Sequence, residues 1–118
     1  MLSELDYVIQ SCILNCTLKH PTGLHEVRLR ILDLAEFVSI KGVKVEGRIA
    51  SEPDEANLGY VIAKKLNLSI GEQLTLNLDK AAITLKVTGV LTTCTEADLE
   101  ILAPTSLIPK LPENTEIR

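Results

Sequence analysis

A chain of 118 residues has the length of one ordinary domain, long enough to bury about two-thirds of the surface it exposes when unfolded. Aromatic residues make up only 3% of it and Trp is absent, so the core must be filled by Leu, Ile, Val and Ala, and stacking platforms for nucleic-acid bases are lacking. The formal net charge is −4, with basic residues scattered among acidic ones, as in Glu26-Val27-Arg28 and Glu46-Gly47-Arg48, which argues against a nucleic-acid partner because phosphate binding calls for a basic face.

No apolar run approaches the roughly 20 residues needed to span a bilayer. The first ten residues carry Glu4 and Asp6 where a signal peptide would carry Lys or Arg. The chain as given therefore reads as soluble and without a targeting signal.

The apolar run Tyr7 to Leu18 predicts a strand. It holds Cys12 and Cys16, whose parity places them on one face as small core residues. Along a strand they stand ~13 Å apart, too far for a disulfide. His20 and His25 are the only histidines near them. A strand followed by a turn does not bring two thiols and two imidazoles to one point, so a zinc site is not expected. His20-Pro21-Thr22-Gly23 is turn chemistry, because Pro presets φ and Gly supplies a positive φ. Leu24 to Leu32 then alternates, with Val27, Leu29 and Ile31 on one face and Glu26, Arg28 and Arg30 on the other, as expected of a half-buried hairpin partner.

Asp33 to Ile40 fits a helical turn through Leu34, Phe37 and Val38, with Asp33 as its cap. Gly42 to Arg48 predicts a short strand ending near Gly47. Ser51 to Glu55 is a polar loop around Pro53. Leu58, Ile62, Ala63 and Leu66 recur at helical spacing, with Lys64 and Lys65 facing water and Asn57 or Asp54 as candidate caps. In the connector that follows, Leu68 and Ile70 are expected to point inward and Gly71 to make the turn. Gln73 to Asp79 predicts a strand with Leu74, Leu76 and Leu78 on one face. Lys80-Ala81 turns the chain, and Ala82 to Leu91 returns with Ile83, Leu85 and Val87 inward. Gly89 interrupts the alternation and marks a bulge or bend. Thr92 to Asp98 is a polar turn, Leu99 to Leu102 a short strand, and Pro104 to Leu111 one helical turn limited by Pro109 and Pro112.

These elements predict an α+β fold: a β-rich single domain over residues 1–118, with a mixed or antiparallel sheet or partial barrel and one or two short helices. No repeat, low-complexity stretch or linker divides the chain.

A catalytic reading needs a nucleophile beside a base, paired carboxylates in a pocket, or a metal cluster. The chain has two histidines near one turn, no Gly-x-Ser-x-Gly or Cys–His signature, and no Gly-rich phosphate loop. The acids of Glu52-Pro53-Asp54-Glu55 and Glu96-Ala97-Asp98 read as solvated loops. No catalytic, cofactor-binding or metal-ligating residues are assigned, no cofactor is expected, and the chain does not read as an enzyme.

Taken together, Glu46-Gly47-Arg48, Leu58-Gly59, the run Ile62-Ala63-Lys64-Lys65-Leu66-Asn67-Leu68-Ser69-Ile70-Gly71-Glu72-Gln73-Leu74-Thr75-Leu76, and Leu85-Lys86-Val87-Thr88-Gly89-Val90-Leu91-Thr92-Thr93 are similar in order and spacing to a known family. From Val43 to Leu107, including the acidic turn and short strand between Glu96 and Pro104, the sequence resembles the extracytoplasmic core domain of ABC-transporter permeases of the MacB-like or FtsX-like family. It departs from that pattern in Tyr60, where the family often has Glu, in Glu72 for the commoner Asp, and in a loosely similar N-terminal hairpin. Flanking transmembrane helices and a second subdomain are absent from it.

The resemblance implies a non-catalytic domain excised from a larger membrane permease and lying on the extracytoplasmic side of the cell membrane. It implies an ABC ATPase partner reached through the missing transmembrane helices, and motion relayed to a substrate, an adaptor or a second permease. The alternative is a stand-alone cytosolic swapped-hairpin or double-psi-like β-barrel used for regulation or assembly. A small double-psi enzyme is the remaining rival.

Overall fold

The structure is a computed structural model and describes residues 11–78 and 81–111. The expected strand start at Tyr7, the expected strand end at Asp79, Lys80 of the expected Lys80-Ala81 turn, and Pro112 lie outside the described residues.

Two long strands open the fold, β1 (Ser11–His20) and β2 (Gly23–Leu32), paired antiparallel from Ser11↔Leu32 to His20↔Gly23. The Pro21-Thr22 turn closes them, and Gly23 takes a φ of 132°. As the alternation predicts, Val27, Leu29 and Ile31 are buried while Glu26 and Arg28 are exposed. Helix α1 (Leu34–Lys41) follows at once. The Asp33 side chain accepts from the Glu36 N–H at 3.1 Å, and Gly42 ends the helix in the left-handed region at φ 63°. The expected helical turn is thus a capped helix, with Leu34 and Phe37 buried.

Then come β3 (Lys44–Gly47), β4 (Glu55–Gly59), α2 (Tyr60–Lys65), β5 (Gln73–Leu78) and β6 (Ala81–Thr92). A 3₁₀ turn (Glu96–Leu99), β7 (Ile101–Pro104) and a second 3₁₀ turn (Thr105–Lys110) complete the described chain.

The sheet is mixed and runs β3-β6-β4-β7-β2-β1-β5, with β5 pairing back onto β6. The pairings therefore close a ring, and the sheet curls into a small barrel with β3 appended beside the second half of β6. Inward-facing Leu14, Leu18, Leu29, Ile31, Leu58, Leu74, Leu76, Leu85, Val87 and Ile101 fill the interior. A second core lies under α1 on the outer face, built from Leu32, Leu34, Phe37, Ala50, Leu91, Ala97 and Leu102. Strands that face apolar material on both sides lose the alternation of a half-buried strand, which is why β4 and β7 are buried along their whole length.

Four expectations need correction. Leu58 stands at helical spacing from Ile62, but it belongs to β4, between β6 and β7, and the helix begins only at Tyr60. Its N-cap is Gly59, with no side-chain cap, so neither Asn57 nor Asp54 caps it. Ile70 is 42% exposed rather than inward. A turn, in which the Glu72 N–H donates to the Ser69 carbonyl and the Glu72 carboxylate accepts from the Ser69 N–H, breaks the alternation after buried Leu68. The last strand starts at Ile101, two residues later than predicted, and Leu99 is 56% exposed in the 3₁₀ turn.

Candidate functional site

The motif segments singled out in the sequence meet around residues 87–90 of β6. Glu46 and Gly47 pair with Val90 and Gly89, and the Arg48 N–H continues the ladder to the Thr88 carbonyl at 3.0 Å. From the connector, the Gly71 N–H donates to the Val87 carbonyl at 2.8 Å and the Glu72 carbonyl accepts from the Val87 N–H at 2.9 Å. On the other side β4 pairs in parallel, and its register slips between Ala56↔Val87 and Asn57↔Gly89, so Thr88 is the extra residue of a bulge. The bulge expected from Gly89 is present one residue before it.

Packing at this crossing demands glycine. A Cβ on Gly89 would stand 2.5 Å from the Arg48 carbonyl oxygen and 2.7 Å from that of Glu46. A Cβ on Gly47, whose φ is 87°, would meet the Thr88 carbonyl oxygen at 2.5 Å and the Ile70 side chain at 2.9 Å. Gly59, the third motif glycine, lies flat against the backbone of Ala97 and Asp98 and leaves no room for a side chain.

A polar bolt holds the bulge. Asn57 is fully buried; its Oδ1 accepts from the Ala50 N–H at 2.9 Å, and its Nδ2 donates to the Arg48 carbonyl and to Thr88 Oγ1, both at 3.0 Å. Thr88 Oγ1 in turn donates to the Arg48 carbonyl at 3.1 Å. One amide thus ties the loop between β3 and β4 to the bulge of β6, satisfying groups that burial would otherwise leave unpaired.

Glu55 and Asp98, read as solvated loop acids, are both buried. The Glu55 carboxylate takes both Arg48 guanidinium nitrogens and also accepts from the Ser51 and Glu52 N–H groups at 3.2 Å. The Arg48 hydrogen bond, outweighing desolvation, lowers its pKa to about 2. Asp98 accepts from the Thr93 N–H at 2.7 Å and the Cys94 N–H at 2.9 Å, closing the turn that holds Cys94 at φ 59°. Glu100, 1% exposed, was not singled out by the sequence. It accepts from Arg30 Nε at 2.5 Å and from a terminal guanidinium nitrogen of Arg30 at 3.0 Å, while Arg28 stands 3.7 Å away. Each of these carboxylates holds backbone N–H groups or a guanidinium, which is structural work.

The cysteines and histidines stay apart. Cys16 is buried with its thiol pushed up to about 11 by burial, so it carries almost no thiolate near neutral pH. Cys12 is half-buried and Cys94 exposed. His20 Nδ1 and His25 Nε2 both lie 2.9 Å from the Thr22 hydroxyl, at the hairpin tip, rather than beside a thiol. Among the described residues no group of three or more His, Cys, Asp or Glu side chains is arranged to hold a metal. No described helix is long and apolar enough to cross a membrane.

No family model matches the chain, and no curated protein matches it. Solved structures do match. The extracellular domain of the noncanonic ABC-type transporter YknZ from Gram-positive bacteria superposes with a TM-score of 0.66 at 16% identity, covering 86% of this chain and 56% of that one. A domain of a protein assigned as a permease from Porphyromonas gingivalis gives a TM-score of 0.59 at 14% identity, covering 97% of this chain and 52% of that one. The chain thus spans about half the length of each. At these identities the likeness establishes the fold alone: this chain has the fold of the YknZ extracellular domain and of the Porphyromonas gingivalis permease domain.

Proposed function

We propose that this chain is an extracytoplasmic domain of an ABC-type permease, of the MacB-like or FtsX-like kind, and that it works by contact rather than catalysis. In this reading ATP hydrolysis by a cytoplasmic partner moves transmembrane helices outside residues 1–118. The domain passes that motion to a substrate, an adaptor or a second permease.

The observation that carries the reading, beyond the shared fold, is where the chain enters and leaves the barrel. Ser11 pairs with Leu32, and Leu32 pairs with Pro104, so the first described residue and the end of the last strand lie on one rung. The 3₁₀ turn after Pro104 caps that same end, with Leu107 buried and Leu111 packed against the interior core alongside Cys12 and Leu78. A body inserted between two membrane helices needs its entry and exit at one end. It also needs stiffness, which the ring of strands, the Gly47–Gly89 crossing and the Asn57 bolt supply.

The test is the parent protein. Its reading frame should encode transmembrane segments on both sides of residues 1–118. Cysteine labelling from outside intact cells should reach a residue such as Cys94 in the full-length protein. A reading frame without such segments, or labelling of Cys94 only after the membrane is breached, sinks the proposal.

A further inference from the structure

Strand β2 is covered unevenly. On one side β1 pairs with all ten of its residues, whereas on the other β7 reaches only Leu29 to Leu32. Among the described residues no strand other than β1 pairs with residues 23–28.

The reason β7 stops is local. The next rung toward β2 would need the Leu99 carbonyl, but Leu99 lies in a 3₁₀ turn, closed by the Glu100 N–H donating to the Ala97 carbonyl at 3.1 Å. The 3₁₀ turn then carries Glu96–Leu99 away from β2. Between that turn and the hairpin lies a groove of about 470 Å³, with Asn15, Thr17, Glu26, Arg28, Glu96 and Leu99 in its lining.

A row of unpaired N–H and C=O groups about 20 Å long, at ~3.3 Å per residue, is matched by only one kind of surface, another extended backbone. Proteins usually blunt such an edge with Pro, Lys or a bulge. Residues 23–28 contain no Pro or Lys, and their register with β1 is unbroken. Leu24, 66% exposed, sits beside the start of the edge and Leu99, 56% exposed, beside the groove. The charges also select. Glu96 and Glu100 are held by Arg30, and Arg28 lies near Glu100, whereas Glu26 has no cation partner among the described residues.

We infer that the edge of residues 23–28 takes up an extended segment of another polypeptide, as an added strand in line with β7, with apolar side chains against Leu24 and Leu99 and a basic side chain toward Glu26. A second copy of this chain fits less well: antiparallel pairing of the edge with itself brings the two Glu26 carboxylates to neighbouring positions, where like charges oppose pairing. The inference uses only this chain and stands or falls separately from the permease reading.

The test uses the purified 118-residue chain and a phage-displayed library of random heptapeptides, with amide hydrogen exchange on the selected peptides. The expected result is enrichment of β-branched peptides carrying Lys or Arg, binding that protects amides within residues 23–28, and at least a ~10-fold loss of affinity in the double variant Leu24→Lys, Glu26→Lys. Both side chains are exposed, so circular dichroism of the variant should match the parent. Tyr60→Ser, on the exposed face of α2, serves as the control and should leave affinity unchanged. No enriched peptide, protection elsewhere, or sensitivity to Tyr60→Ser but not to the edge variant overturns the inference. So does a dimer of the chain alone, detected by sedimentation, whose formation protects residues 23–28.

Discussion

Gly47 lies directly across the ladder from Gly89, and each occupies space that the backbone around the other would deny to a side chain. The two glycines stand 42 residues apart in sequence, and their contact lets β3 and the loop after it cross the β6 bulge at backbone distance. This crossing is the stiff centre of the proposed relay.

Gly89→Ala should therefore be severely destabilising, because both neighbours of the new Cβ are backbone carbonyls that cannot rotate away. Overpacking of this kind costs about 1–3 kcal/mol or more. For a domain of this size each kcal/mol lowers the melting temperature by about 4 °C or slightly more. A thermal melt of Gly89→Ala that overlays the parent would show that the crossing is looser than described.

Asn57 separates two ways of losing the bolt. Asn57→Ala removes the acceptor for the Ala50 N–H and the donor to the Arg48 carbonyl and Thr88, leaving buried groups unpaired at about 1–3 kcal/mol each. Asn57→Asp keeps the shape and the acceptor but turns the donor into a second acceptor facing a carbonyl. Denaturant unfolding should rank the parent above both, and an unchanged midpoint for Asn57→Asp would contradict the described orientation of the amide.

The Arg30–Glu100 pair, with side chains 16% and 2% exposed, predicts a non-additive cycle. Removing one partner of a buried pair is expected to cost about 3–5 kcal/mol, because it strands the other charge. Glu100→Met and Arg30→Met should each destabilise strongly, while the double variant Arg30→Met, Glu100→Met should recover a large part of the loss. Additive losses in urea unfolding would argue that the two groups act independently.

Acid should weaken the fold through Glu55. Its folded pKa is lowered from 4.5 to about 2, chiefly by the Arg48 hydrogen bond. A depressed carboxylate contributes its full stabilisation above the unfolded value and loses it as pH falls toward the folded value, so the loss should run from about pH 4.5 down to 2. Glu55→Gln should flatten this part of the stability–pH curve, and a curve of unchanged steepness would remove Glu55 from the account.

Thiol reactivity should report the layers of the barrel. Cys94 is exposed and should react with a thiol reagent at once, whereas Cys16, buried and with a pKa near 11, should react only on opening. Equal rates for the two in native buffer would be incompatible with β1 lining the core.

Much of the architecture was legible in the order of residues alone. Alternation in residues 24–32, 73–78 and 82–91 placed the strands and their inward faces, because a strand with one wet face must alternate. Asp33 and Gly71 announced a cap and a turn because few other residues suit those backbones. The glycines in Glu46-Gly47-Arg48 and Thr88-Gly89-Val90 were visible as motifs.

Only the tertiary structure showed that the two motifs touch, since the Cβ that each glycine cannot carry is excluded by chain far away in sequence. It also moved Leu58 out of the helix, because burial on both faces of β4 erases the period that tells a strand from a helix. Glu55 and Asp98 read as surface, and Glu100 was not singled out, until the fold placed Arg48, Arg30 and turn N–H groups around them, and a carboxylate's burial depends on such partners rather than on its neighbours in sequence. The uncovered edge of β2 belongs to the same class: whether a strand is paired on its second side is decided by where the distant 3₁₀ turn Glu96–Leu99 carries the chain.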